Sequence, residues 1–299
     1  MANSRLIKRR MESAQNITQI TQAMQMVAAS KMKKAQGQAL AGKPYSEKLQ
    51  AVLASLLTNS SNFKHGFLTA NQSSGTALLF VSTNKGLCGS LNTNHFRQLQ
   101  LWFKEQSLGQ IQFITVGKKG RDFVLKMGGN LAADFSDLPE NFTFENTLPI
   151  SHLVMKLFRE QCAGSVFASY TNFISTLVQK PKKVQLLPIT QKAVSRSLGS
   201  LKDELQKETP QFEFKEYLVE PSPTKVVNWL LPYFIELEVY HFLLEAKASE
   251  HSARMVAMKS ASENAKELVS QLRLEYNKIR QQLITSEISD IVTAWKALK

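Results

Sequence analysis

The C-terminal stretch AKELVSQLRLEYNKIRQQLITSEISDIVTAWKALK, residues 265–299, decides the reading of the fold. Apolar residues recur in it at Ala265, Leu268, Leu272, Tyr276, Ile279, Leu283, Ile288, Ile291, Trp295 and Leu298. The steps average about 3.5 residues, the period of a left-handed coiled coil. No glycine or proline follows Pro232, and Ser222-Pro223 supplies a helix cap and a first-turn proline. The pattern predicts one helix over about 224–298, on the order of 110 Å long. A helix of that length is not the core element of one domain, so its stripe needs cover along its whole length.

The comparable stripe lies at the other end of the chain. Leu6, Ile7, Met11, Ala14, Ile17, Ile20, Met24, Val27, Ala28, Met32 and Ala35 recur at three- and four-residue steps, predicting a helix over 3–57. Gly37, Gly42 and Pro44 weaken the pattern, and a bend or brief break is expected at Pro44. Pairing the first helix with the last gives an antiparallel two-helix coiled coil made from the two termini.

Between the ends the period changes. After a turn-rich connector at 58–75, strands are expected at 76–83, 111–116, 131–135, 165–170 and 183–187. Helices are expected at 92–106, 121–126 and 153–162. Alternating strands and helices imply a mainly parallel sheet, a Rossmann-like α/β domain inserted between the coiled-coil helices. The expected division is 1–57, 76–220 and 222–299, with 191–211 as a polar excursion.

Charge and composition restrict function further. The net charge is +13, and residues 1–57 contribute +7 of it, from nine Lys/Arg against two Glu. Such an excess suits an acidic or polyanionic partner. Yet no aromatic precedes Tyr45, so the basic segment offers no base-stacking platform. The N-terminus MANSRLIKRRMES lacks the apolar core of a secretory signal. No run approaches the roughly 18–20 apolar residues of a membrane span. Cys88 and Cys162 have no disulfide or metal-ligand spacing.

Catalytic signals are weak. Ser82–Asn92 (STNKGLCGSLN) lies between a strand and a helix, where phosphate loops sit, but Lys85 precedes both glycines. A tight turn is the better reading. The five histidines show no ligand spacing, and Glu236, Glu238 and Glu245 read as a solvated helix face. No nucleophile–base pair stands out, so neither a catalytic residue nor a cofactor or metal is expected.

Four blocks carry a resemblance: ITQAMQMVAASKMKKAQ (20–36), VSTNKGLCGSLN (81–92), ASEHSARMVAMKSASENA (248–265) and LEYNKIRQQLITSEISDIV (274–292). In order and placement they resemble the gamma subunits of F-type ATP synthases. The resemblance implies a rotor shaft coupling proton flow to ATP synthesis or hydrolysis, itself non-catalytic. It implies partners: alpha and beta subunits in a 3:3:1 ratio with the shaft, the epsilon subunit and the membrane c-ring. It also implies that Met24, Arg280, Gln281, Thr285, Glu287 and Asp290 contact beta.

This sequence departs from the family pattern in two places. Asp290 stands where relatives often carry Glu. Gln19-Ile20-Thr21-Gln22 replaces a typical Lys-Ile-Thr-Lys run, which removes two positive charges. The chain starts where mature members of the family start, so the cytoplasmic side of a bacterial inner membrane is the expected location. The alternative is a basic coiled-coil adaptor for nucleic acid or an anionic membrane.

Overall fold

The computed structural model describes residues 2–59, 65–69, 71, 73, 75–103, 111–189 and 219–297. In chain order the elements are α1 (Ala2–Asn59), β1 (Thr76–Val81), α2 (Leu91–Phe103), β2 (Ile111–Val116), α3 (Lys118–Lys126) and β3 (Asn130–Asp134). These are followed by α4 (Phe144–Arg159), β4 (Ser165–Phe173), β5 (Gln179–Leu187) and α5 (Pro223–Ala297). The expected excursion at 191–211 and Leu298 lie outside the described residues.

The chain forms two compact units: Met1–Ala29 with Arg254–Lys299, and Ser30–Ala253. The second contains a five-stranded sheet of order β3-β2-β1-β4-β5. Strands β1 to β4 pair in parallel and β5 runs antiparallel to β4. All six residues of β1 are buried, as a central parallel strand covered on both faces requires. Alternation assigns its side chains. Leu78 and Phe80 join Leu99, Trp102, Phe113 and Val124 on the α2/α3 side. Ala77, Leu79 and Val81 join Ile150, Val154 and Phe158 of α4, Leu53 and Leu56 of α1, and Leu231 and Phe234 of α5.

Several boundaries differ from expectation for local reasons. Helix α1 continues through Pro44, which is exposed. Proline at 44 leaves the Leu40 carbonyl without its intrahelical partner, and Leu40 is 55% exposed. Helix α4 begins nine residues before the expected 153, because a reciprocal capping box between Thr143 and Asn146 starts it ahead of Pro149. At α5, Ser222 Oγ accepts from the Lys225 N–H at 3.4 Å.

The helix–helix seam is a heptad, but not the one the apolar stripes suggested. The shielded residues of α1 include the line Ile7, Met11, Ala14, Thr18, Thr21, Gln25, Ala28, Met32, Ala35, Ala39, Gly42, Ser46, Leu49, Leu53 and Leu56. This is an unbroken alternation of four- and three-residue steps. Leu6, Ile17, Ile20, Met24 and Val27, expected in the seam, are 40–58% exposed. From Met258 onward the shielded heptad line of α5 is Met258, Ser262, Ala265, Val269, Leu272, Tyr276, Ile279 and Leu283, so Val269 takes the place expected for Leu268.

In the first unit, Ile7, Met11 and Ala14 cluster with Val269, Leu272, Tyr276 and Ile279. In the second, Ala35 clusters with Ala248, and Ser46 meets His241, so α1 and α5 run antiparallel there.

Candidate functional site

Past Leu283 the heptad positions of α5 become polar: Ser286, Asp290 and Thr293. The apolar residues leave that line. From Leu283 the next stripe residue is Ile288, five residues on. At 100° per residue the group Ile284, Ile288, Ile291 and Trp295 points about 130° away from the seam. These four, with Val292, are 44–69% exposed. Ile288, Ile291 and Trp295 were expected to be covered by the N-terminal helix and are not. Five large exposed apolar residues on one helix end form a surface suited to a partner.

Arg280, Gln281 and Thr285 border this apolar face, and all three are exposed. The Thr285 hydroxyl donates to the Gln281 carbonyl at 2.9 Å, so it is held by its own helix. Glu287 and Asp290 are exposed on the side that continues the seam line. Among the described residues, Arg280, Glu287 and Asp290 have no ion-pair partner. Met24 belongs elsewhere. It lies ten residues past Ala14 on α1, about 15 Å along the helix, with the exposed Ile17, Ile20 and Val27. The six residues therefore form two surfaces rather than one.

The Ser82–Asn92 turn is closed by its own polar groups. The Ser82 hydroxyl lies 3.1 Å from both the Val116 and Gly117 carbonyls and accepts from Gly120 N–H at 2.7 Å. Thr83 Oγ1 donates to the Lys85 carbonyl and accepts from Asn92 Nδ2. Asn84 donates to the Ser136 carbonyl and accepts from Lys118 N–H. Cys88 and Leu91 pack on Ala253 of α5. This turn lies at the carboxyl end of β1, where ligands of doubly wound sheets bind, but its hydroxyls and amides serve the fold.

Sequence reasoning missed a buried polar band on α5. Glu238, His241, Glu245, Ser249 and Ser252 recur at three- and four-residue steps and are at most 6% exposed. The expectation of a solvated face fails for Glu238 and Glu245. Glu236 is half-buried, 3.1 Å from His152 Nε2. Ser249 and Ser252 donate to the carbonyls of Thr171 and Thr176. Burial pushes His241 down to about 4 and Glu245 up to about 7, the latter opposed by Lys182 and a Tyr170 hydrogen bond. The signal available in the sequence was the spacing, since the band follows the helical period on the face that meets the sheet.

Two terminal helices that meet along a heptad line, with a mainly parallel sheet between them in sequence, define a mixed α/β protein with a coiled-coil element. The chain belongs to the ATP synthase gamma-chain family. A family profile described as ATP synthase matches residues 3–298. The ATP synthase gamma chain of Dehalococcoides mccartyi (strain CBDB1) is 43% identical over 300 residues, covering 100% of both chains. That of Heliobacterium modesticaldum is 39% identical over 298 residues, again covering 100% of both.

Among solved structures, a chain of the Tetrahymena thermophila mitochondrial ATP synthase central stalk and c-ring is 26% identical. Its TM-score is 0.57, with 81% of this chain and 99% of that one covered. A chain of the Euglena gracilis mitochondrial ATP synthase shares the fold at 19% identity and TM-score 0.65, with 99% and 95% covered. Nothing in these comparisons supports the basic-adaptor alternative. No helix among the described residues is long and apolar enough to cross a membrane.

Proposed function

We propose that this chain is the central rotor shaft of a proton-driven F-type ATP synthase. The segments 1–57 and 222–299 form the shaft inside the ring of three alpha and three beta subunits. Residues 76–220 carry the contacts to the membrane c-ring and the epsilon subunit. The shaft works peripherally, on the cytoplasmic side of a bacterial inner membrane. It couples rotation to ATP synthesis and hydrolysis and regulates ATPase activity and proton flow, while the chemistry belongs to beta. One observation carries the reading: the last turns of α5 leave the seam and present Ile284, Ile288, Ile291, Val292 and Trp295 outward, beside unpaired charged and amide groups.

The load explains the architecture. One proton crossing about 150 mV releases roughly 3.5 kcal/mol. A few protons per ATP therefore load the shaft with on the order of 10 kcal/mol, comparable to the stability of a whole domain. No single contact bears that, whereas a seam of many heptads distributes it. Met24, Arg280, Gln281, Thr285, Glu287 and Asp290 contact beta in this reading. The Arg280 guanidinium offers a planar fork to a carboxylate.

The test is Arg280→Ala with Gln281→Ala in reconstituted vesicles, measuring complex yield and proton-driven synthesis. We expect unchanged yield, since both side chains lie outside the seam, and synthesis lowered roughly tenfold or more. Normal synthesis removes these residues from the mechanism, and loss of assembly makes them structural.

A further inference from the structure

The buried band on α5 contains two orphaned atoms one helical turn apart. His241 Nδ1 and Glu245 Oε2 are both buried and have no hydrogen-bond partner among the described residues. With Glu245 ionised, both atoms are acceptors and cannot bond to each other. Ser46 Oγ donates its single proton to the Gly42 carbonyl at 3.0 Å. The same oxygen lies 2.8 Å from His241 Nε2. A hydroxyl that has given its proton to a carbonyl can only accept, so His241 Nε2 carries the ring proton. A neutral imidazole protonated there leaves Nδ1 as a bare acceptor. Glu245 Oε2 is likewise a carboxyl oxygen with free lone pairs, while Tyr170 bonds elsewhere on the same group. Side chains four apart on a helix have Cβ atoms roughly 5–6 Å from each other. Both atoms lack a partner and lie one turn apart on the same helix, so a donor with two protons placed between them satisfies both.

We propose that one internal water sits between His241 Nδ1 and Glu245 Oε2 and donates a hydrogen bond to each. The ligand is water rather than a cation, because Lys182 of β5 stands close enough to act on Glu245. The other groups packed around the pair are Tyr170 of β4, Ser46 of α1, and Glu238 of α5 itself, one turn before His241. With the water in place a continuous hydrogen-bond chain joins β4, α5 and α1: Tyr170 and the water both donate to the Glu245 carboxylate, the water donates to His241 Nδ1, His241 Nε2 donates to Ser46 Oγ, and Ser46 donates to the Gly42 carbonyl. Glycine at 42 leaves the ring room. A Cβ there would stand 3.2 Å from His241 Cε1. The water fixes the rotation of α5 about its own axis between the helix seam and the sheet. This proposal is independent of the rotor reading.

The test is an electron cryo-microscopy or crystal structure of the assembled complex at a resolution that shows ordered solvent. It is paired with water-to-side-chain cross-relaxation of His241 and Glu245 in the full chain. The expected result is one density within about 2.7–3.2 Å of both atoms, together with a long-lived water signal. His241→Phe and Glu245→Leu each remove one partner and are expected to abolish both signals, because a buried water needs at least two polar partners. Empty space, a direct Nδ1–Oε2 contact, or a water that persists in both variants overturns the proposal. If either variant fails to fold, the wild-type density alone decides.

Discussion

The register of the helix seam separates two neighbouring residues, Val27 and Ala28. Apolar patterning places both in the seam. In the structure Ala28 is 2% exposed and Val27 is 54% exposed. Val27→Ala removes two carbons that are half in water, a loss of about 0.8 kcal/mol. Alanine's better helix propensity returns about 0.5 kcal/mol, so the net cost is a few tenths. Ala28→Leu adds three carbons at a position with no room and costs about 1–3 kcal/mol through strained rotamers and helix displacement. The assay is thermal unfolding of the full chain followed by helical circular dichroism. At about 2–4 °C per kcal/mol, Ala28→Leu is expected to lower the midpoint by several degrees, and Val27→Ala by about one. If Val27→Ala proves as damaging as Ala28→Leu, the heptad through Ala14, Ala28 and Ala35 is not the seam.

Leu272→Ala opens a cavity beside Ile7 and Ala14 and is expected to cost about 2–5 kcal/mol; amide exchange in α1 before Ala14 should quicken. Gly117 has φ +100, and a Cβ there would lie 2.5 Å from the Ser82 carbonyl oxygen. Gly117→Ala is therefore expected to destabilise by roughly 2–4 kcal/mol in denaturant titration, whereas Gly128→Ala, with open space around it, costs less. Burial holds His95 down at about 3, so the folded state binds fewer protons than the unfolded one below pH 6.5. Its contribution is complete above 6.5 and is lost as pH falls toward 3, on the order of 5 kcal/mol. Glu245, pushed up, acts oppositely between about 7 and 4.5. His95→Gln keeps a hydrogen-bonding group for Ser169 Oγ and is expected to flatten the acid limb of stability against pH.

The sequence by itself determined the element types, the parallel sheet and the family. Strand runs such as Thr76–Val81 and Ile111–Val116 carry β-branched and aromatic residues bounded by turns, and the structure places strands at these residues. The absence of glycine and proline after Pro232 allowed no interpretation but a long helix. These are local signals, fixed by backbone propensity and by period. The tertiary structure decided which face of each helix is covered. Alanine, threonine, glycine and serine occupy most of the α1 seam, because small side chains let two backbones approach closely, so hydrophobicity marks the wrong stripe. Isoleucine and methionine at 17, 20 and 24 stay outside, and the apolar line of α5 rotates away after Leu283. Glu238 and Glu245 look like a solvated face until the rest of the fold packs over them. A buried carboxyl differs from an exposed one only by what lies across from it, which is a property of the folded chain.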